Sequence, residues 1–134
     1  MTFVIDASIV AGLAFGETPN PKIVLAIDQL AVSEALTPSL FFFEVRNALV
    51  INEKRGRTTP RGSADFLRRL ARLPIRLAPF PDDDVLMALA RERKLTVYDA
   101  AYLELAMREG LRLATLDRDL ENAAIAEGVA LFGA

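Results

Sequence analysis

The stretch FVIDASIV, Phe3 to Val10, decides how the chain is read. Its opening residues are apolar and β-prone, so Thr2 to Ile5 is expected as a short buried strand. Ser8 is the expected cap of a helix over Ile9 to Phe15. Between strand and helix stands Asp6, a carboxylate where an apolar run ends. Burying such a charge alone costs several kcal/mol, so a second group or a bound cation should meet it.

Outward from that stretch, strand and helix patterns alternate. GETPNP, residues 16–21, breaks the first helix, and Pro21 to Leu30 reads as the next, with Ile23, Ile27 and Leu30 on one side. Ala35 to Thr37 is a short strand ended by Pro38. SLFFFEVRNALVINEKRG, residues 39–56, is the strongest helix, with Ser39 as its cap and Gly56 just past its end. Within it, Leu40 to Phe43 reads as core or as a hydrophobic contact surface.

A helix over Arg61 to Leu73 follows, then the strand IRLAPF and the helix DDDVLMALARERK. The acidic first turn of that helix is explained by its dipole. TVYDAAYLELAMREG opens with Thr96 and Asp99 at capping-box spacing. Leu113 to Thr115 is a strand, Asp119 to Glu127 a helix, and Val129 to Phe132 a final strand. This alternation predicts an α/β fold with a parallel sheet, residues 1–134 forming one domain.

The composition narrows the chemistry. The chain has no cysteine and no histidine. Disulfides, thiolate chemistry, histidine-assisted nucleophiles and the usual zinc ligand sets are therefore excluded. A carboxylate cluster would select a hard cation such as Mg2+ or Mn2+. No apolar stretch reaches the roughly 18 residues of a membrane span, and no secretory signal is visible, so a cytoplasmic protein is expected. The net charge is only −2, but Arg46 to Arg76 holds nine basic and two acidic residues, leaving −9 elsewhere. Arg46, Arg68 and Arg69 are candidates for phosphate contact in that basic run, the alternative being a solvated helix face or a docking face for an acidic partner.

Four carboxylates stand apart by their neighbours: Asp6, Glu44, Asp99 and Asp117. In a parallel sheet the carboxyl ends of the strands share one edge, where ligand sites form. Asp6 and Asp117 would project from it, while Glu44 and Asp99 lean over it from helices. Four such charges repel one another, and a divalent cation relieves the repulsion. Each also has a plain structural role open to it. Asp99 and Asp117 are natural helix caps, Asp6 can turn outward, and Glu44 can reach solvent. Ser8, Asn47 and Thr115 lie close enough in sequence to orient these groups.

Taken together, VIDASIV, SLFFFEVRNAL, TVYDAAYLELA and LATLDRDL, in this order and spacing, resemble a PIN domain over essentially the whole chain. Within that family they are most similar to VapC-type toxins of bacterial toxin–antitoxin systems. The resemblance implies a three-layer α/β/α fold with a central parallel sheet of about five strands. It also implies a divalent-metal-dependent endoribonuclease in which Asp6, Glu44, Asp99 and Asp117 form the catalytic, metal-binding centre. Asp6 and Asp99 would be the most direct ligands to Mg2+ or Mn2+, with Glu44 and Asp117 completing the site. Ser8, Asn47 and Thr115 match supporting positions. The implied partners are an RNA substrate, a cognate VapB-type antitoxin and a second copy in a homodimer, with no membrane.

Two other readings share the architecture. A receiver-type signalling domain wants an adjacent acidic pair after its first strand, whereas Asp6 is followed by Ala7. A catalytically silent PIN fold kept for its partners would carry the same sheet, since fold alone does not determine activity.

Overall fold

The computed structural model describes residues 1–16 and 20–133, so residues 17–19 of the expected break lie outside the described residues. Among the described residues, four parallel strands make the sheet: β1 (Phe3–Ile5), β2 (Ala35–Thr37), β3 (Ile75–Leu77) and β4 (Leu113–Ala114), in the order β3-β2-β1-β4. Val4 pairs with Leu36 on one side and Leu113 on the other. The N-terminal strand is therefore central, which is why all three of its residues are buried. Fully burying an apolar side chain of this size contributes about 1.5–3 kcal/mol.

The fifth strand expected over Val129 to Phe132 contracts to one parallel bridge, Leu131 with Leu113. Leu113 N–H donates to Ala130 O (3.0 Å) and Phe132 N–H to Leu113 O (2.9 Å). Gly128 and Gly133, both at positive φ, bend the chain on either side and leave room for little more. Phe132 nevertheless stacks on Phe3 with ring centroids 4.6 Å apart, closing this edge of the core.

Seven helices flank the sheet among the described residues: α1 (Ala7–Phe15), α2 (Pro21–Leu30), α3 (Leu40–Lys54), α4 (Pro60–Leu70), α5 (Asp83–Glu92), α6 (Val97–Glu109) and α7 (Arg118–Ala126). Their starts follow from local chemistry. Asn20 and Thr59 cap helices that open on proline, accepting from Lys22 N–H and Gly62 N–H, and Asp82 accepts from Val85 N–H. Thr59 and Pro60 start α4 one residue before the expected Arg61, and it ends at Leu70 rather than Leu73. Helix α6 is buried from Ala100 to Ala106 and packs on α5, α7 and β1. It stops at Gly110, whose φ of +64° provides the left-handed C-cap.

Two expected caps are corrected. Helix α1 begins at Ala7, with Asp6 rather than Ser8 in the cap position, because the Ser8 hydroxyl turns back to Asp6. Ser39 already has helical dihedrals before α3, and its side chain makes no capping bond. The aromatic run of α3 divides: Phe41 is buried, whereas Phe42 and Phe43 face outward, because adjacent helical positions point about 100° apart. Gly12 marks a close approach, since a Cβ there would lie 2.7 Å from Ile23 Cδ1 of α2. No described helix is long and apolar enough to cross a membrane.

Candidate active site

The carboxyl ends of β1 and β4 lie side by side, because Ile5 pairs with Ala114 and Asp6 N–H donates to Ala114 O (2.9 Å). That register sets Asp6 against Thr115. Asp6 is only 6% exposed, and its Oδ2 accepts two hydroxyl protons, from Ser8 and from Thr115, each at 2.6 Å. The hydroxyl oxygens accept in turn from the next loop: Leu116 N–H donates to Ser8 Oγ (2.9 Å) and Asp117 N–H to Thr115 Oγ1 (3.0 Å). Asp6 therefore has one oxygen held by neutral donors that are themselves fixed by backbone.

Glu44 projects from α3 and is half-buried. The hydroxyl of Tyr102, on α6, donates to its Oε1 at 2.6 Å. Asp99 sits in the first turn of α6, where Thr96 Oγ1 accepts its backbone N–H (3.1 Å). Asp117 caps α7, its Oδ1 accepting from Leu120 N–H (2.9 Å). The capping roles expected for Thr96 and Asp117 are thus both filled, and in each case the cap also places a carboxylate near the sheet edge.

The charges influence one another across that edge. Burial pushes the Asp6 carboxyl above its ordinary value; the bonds from Ser8, Thr115 and the Ala7 backbone oppose this, and Asp117 adds repulsion. Glu44 is raised mainly by burial, against the Tyr102 bond, with further repulsion from Asp6 and Asp99. Asp99 is raised by burial and then by Asp117 and Asp6. Burial also pushes the Tyr102 phenol upward, reinforced by Asp6 and Glu44, so its hydroxyl stays a donor. Among the described residues, no three carboxylates stand close enough to grip one ion.

The ion pairs among the described residues fall elsewhere: Lys22–Glu121, Arg68–Asp65, Arg76–Glu34, Arg93–Glu127 and Arg108–Glu104. Among the described residues, no lysine or arginine pairs with Asp6, Glu44, Asp99 or Asp117. The donor chemistry, all oxygen and without a cationic partner, is that of a hard divalent ion such as Mg2+ or Mn2+, although the four carboxylates are not gathered into one cluster.

The other expected residues are more scattered. Asn47 is exposed and shares a shallow surface depression with Phe43, Glu44, Arg46 and Val50. Arg46 stacks on Phe42, its guanidinium carbon 3.4 Å from the ring centre. Arg68 and Arg69 lie on α4, the first paired with Asp65 and the second beside Phe66. The sequence reading passed over Tyr102 as a partner of Glu44. The available signal was a phenol inside an apolar helix, since a buried tyrosine hydroxyl needs an acceptor.

Comparison with known proteins identifies the family and the fold. The PIN domain family matches residues 3–126. Ribonuclease VapC3 of Pyrobaculum aerophilum is 35% identical over 123 residues, spanning 90% of this chain and 92% of its own. PAE2754, also from Pyrobaculum aerophilum, superposes with a TM-score of 0.73 at 27% identity, covering 92% of this chain and 84% of that one. Mycobacterium tuberculosis VapC20, a sarcin-ricin loop cleaving toxin, shares the fold with a TM-score of 0.60 at 16% identity, over 92% of this chain and 95% of its own. From β1 to the end of α7, the chain belongs to the PIN domain family, with VapC-type proteins among its relatives.

Proposed function

We propose that this chain is a divalent-metal-dependent endoribonuclease and the toxin of a type II toxin–antitoxin pair. The observation that carries the reading is the electrostatic character of the sheet edge. Four carboxylates influence one another there; Asp6, Glu44 and Asp117 are held by hydroxyl or backbone donors, and among the described residues none of the four meets a cationic side chain. The 35% identity to a ribonuclease supports RNA as the substrate.

Asp6 and Asp99 would hold the ion directly, with Glu44 and Asp117 completing the set. A bound Mg2+ or Mn2+ would supply Lewis-acid charge for phosphodiester hydrolysis. Ser8 and Thr115 keep Asp6 aimed by holding one of its oxygens. Asn47 and Arg46 flank Glu44 on the substrate side, and Arg68 and Arg69 extend the contact to the RNA backbone. The chain works as one domain in the cytoplasm. The outward Phe42, Phe43, Val50 and Ile51 of α3 provide an apolar surface for a VapB-type antitoxin or for a second copy in a homodimer.

Calorimetric titration of metal-free protein with Mn2+, beside an Asp6→Asn control and an assay on total RNA, tests the reading. Wild-type binding and cleavage that both disappear in the control are expected. Folded wild type that neither binds Mn2+ nor cuts RNA would leave a catalytically silent PIN fold.

A further inference from the structure

Asp6 and Glu44 are secured in the same way by different parts of the fold. Each has a carboxylate oxygen held at 2.6 Å by neutral hydroxyl donors, which leaves its charge unneutralised. For Asp6 the hydroxyls are local to the sheet edge. For Glu44 the donor is 58 residues away, on another helix. Tyr102 is fully buried, and its ring is among the largest side chains enclosed by the core. Its rigid ring cannot follow Glu44 outward, whereas Glu44 has three rotatable side-chain bonds and lies at the edge of the exposed face of α3.

We propose that Tyr102 is a positioning residue that clamps Glu44 Oε1 from inside the core and so presents Oε2 to the divalent ion. The inference rests on the metal-nuclease reading above. A hydroxyl suits the role better than a lysine or arginine, because a cationic clamp would compete with the ion for the same carboxylate. The clamp also connects α3 to α6, the two helices that carry Glu44 and Asp99. A shift of either helix then changes both carboxylates together.

The test is a double-mutant cycle over Tyr102→Phe and Glu44→Gln, reading Mn2+ affinity by calorimetry, kcat and KM on RNA, and Tm. Tyr102→Phe is expected to weaken Mn2+ binding and lower kcat about 10-fold to 100-fold, with KM for RNA unchanged. In the Glu44→Gln background the same substitution should add little, because the group it positions has changed. Equal losses from Tyr102→Phe in both backgrounds would make the tyrosine merely structural and overturn the clamp. So would wild-type Mn2+ affinity and kcat in Tyr102→Phe beside a defective Glu44→Gln. A wild type that binds no Mn2+ and cuts no RNA would remove the metal-nuclease reading and the clamp together.

Discussion

Asp6 and Glu104 are both buried carboxylates, 6% and 2% exposed, yet they are satisfied in opposite ways. Glu104 meets Arg108 one turn along α6, in contacts of 3.0–3.1 Å, and Arg108 also donates to Pro79 O (3.2 Å). Its charge is neutralised on the spot and ties α6 to the loop after β3. Asp6 receives only hydroxyls and backbone, so its charge stays unneutralised and burial raises its pKa. The difference separates structure from chemistry: a carboxylate held by arginine is used up, whereas one held by hydroxyls is kept for a ligand.

Substitution should divide the two sites cleanly. Asp6→Asn is expected to reduce RNA cleavage on the order of 10³-fold, the loss of several kcal/mol of transition-state stabilisation. The Tm of the metal-free protein should hold or rise, since repulsion among the carboxylates is relieved. Glu104→Ala should do the reverse. It leaves the Arg108 guanidinium, 30% exposed, without its partner, at a cost of about 3 kcal/mol, with Mn2+ affinity of the folded fraction unchanged. Urea denaturation read beside calorimetry checks both. An Asp6→Asn protein that unfolds as readily as Glu104→Ala would erase the distinction.

A finer test removes one donor. Thr115→Val deletes a proton from Asp6 Oδ2 and the acceptor of Asp117 N–H. Mn2+ affinity should fall about 10-fold. The accompanying stability loss should be about 1 kcal/mol.

Acidity supplies another contrast. The carboxyls of Asp6, Glu44 and Asp99 bind protons more tightly in the folded chain than in the unfolded one. Their ionisation therefore opposes folding, so the metal-free protein loses stability as pH rises from about 4 through these raised values. Glu34, lowered by its bond to Arg76, behaves oppositely: its contribution is lost as pH falls through its lowered value. In thermal melts without metal, the Tm of Asp6→Asn should pull ahead of wild type as pH increases. A constant gap would mean that Asp6 titrates normally.

The smallest effect is expected on α4. Charge reversal at Arg68 and Arg69 should weaken RNA binding several-fold and flatten its salt dependence, with Mn2+ affinity untouched. A salt slope equal to wild type would assign those arginines to another surface.

Much of this was legible along the chain because it depends on neighbours in sequence. The bounds of α2 and β2, the acidic first turn of α5 and the caps at Thr96 and Asp117 follow from residues a few positions apart. The four carboxylates were visible for a related reason: charge beside an apolar run contradicts its surroundings unless something resolves the conflict. The contraction of the last strand to a single bridge was not visible, because Val129 to Phe132 has strand-forming residues, while the bends at Gly128 and Gly133 and the two-residue length of β4 act together to limit their pairing. Ser8 was read as a cap because its local options include one. Its actual partner is settled by Thr115 and Leu116, 107 and 108 residues away, which arrive only when β4 pairs with β1. Tyr102 and Glu44 carry the same lesson. Sequence alone determined which residues carry charge and which elements begin beside them, since both depend on local chemistry. Tertiary structure decided which carboxylates receive arginine and which receive hydroxyls, because hydrogen bonds between distant residues exist only once the core has brought them within reach.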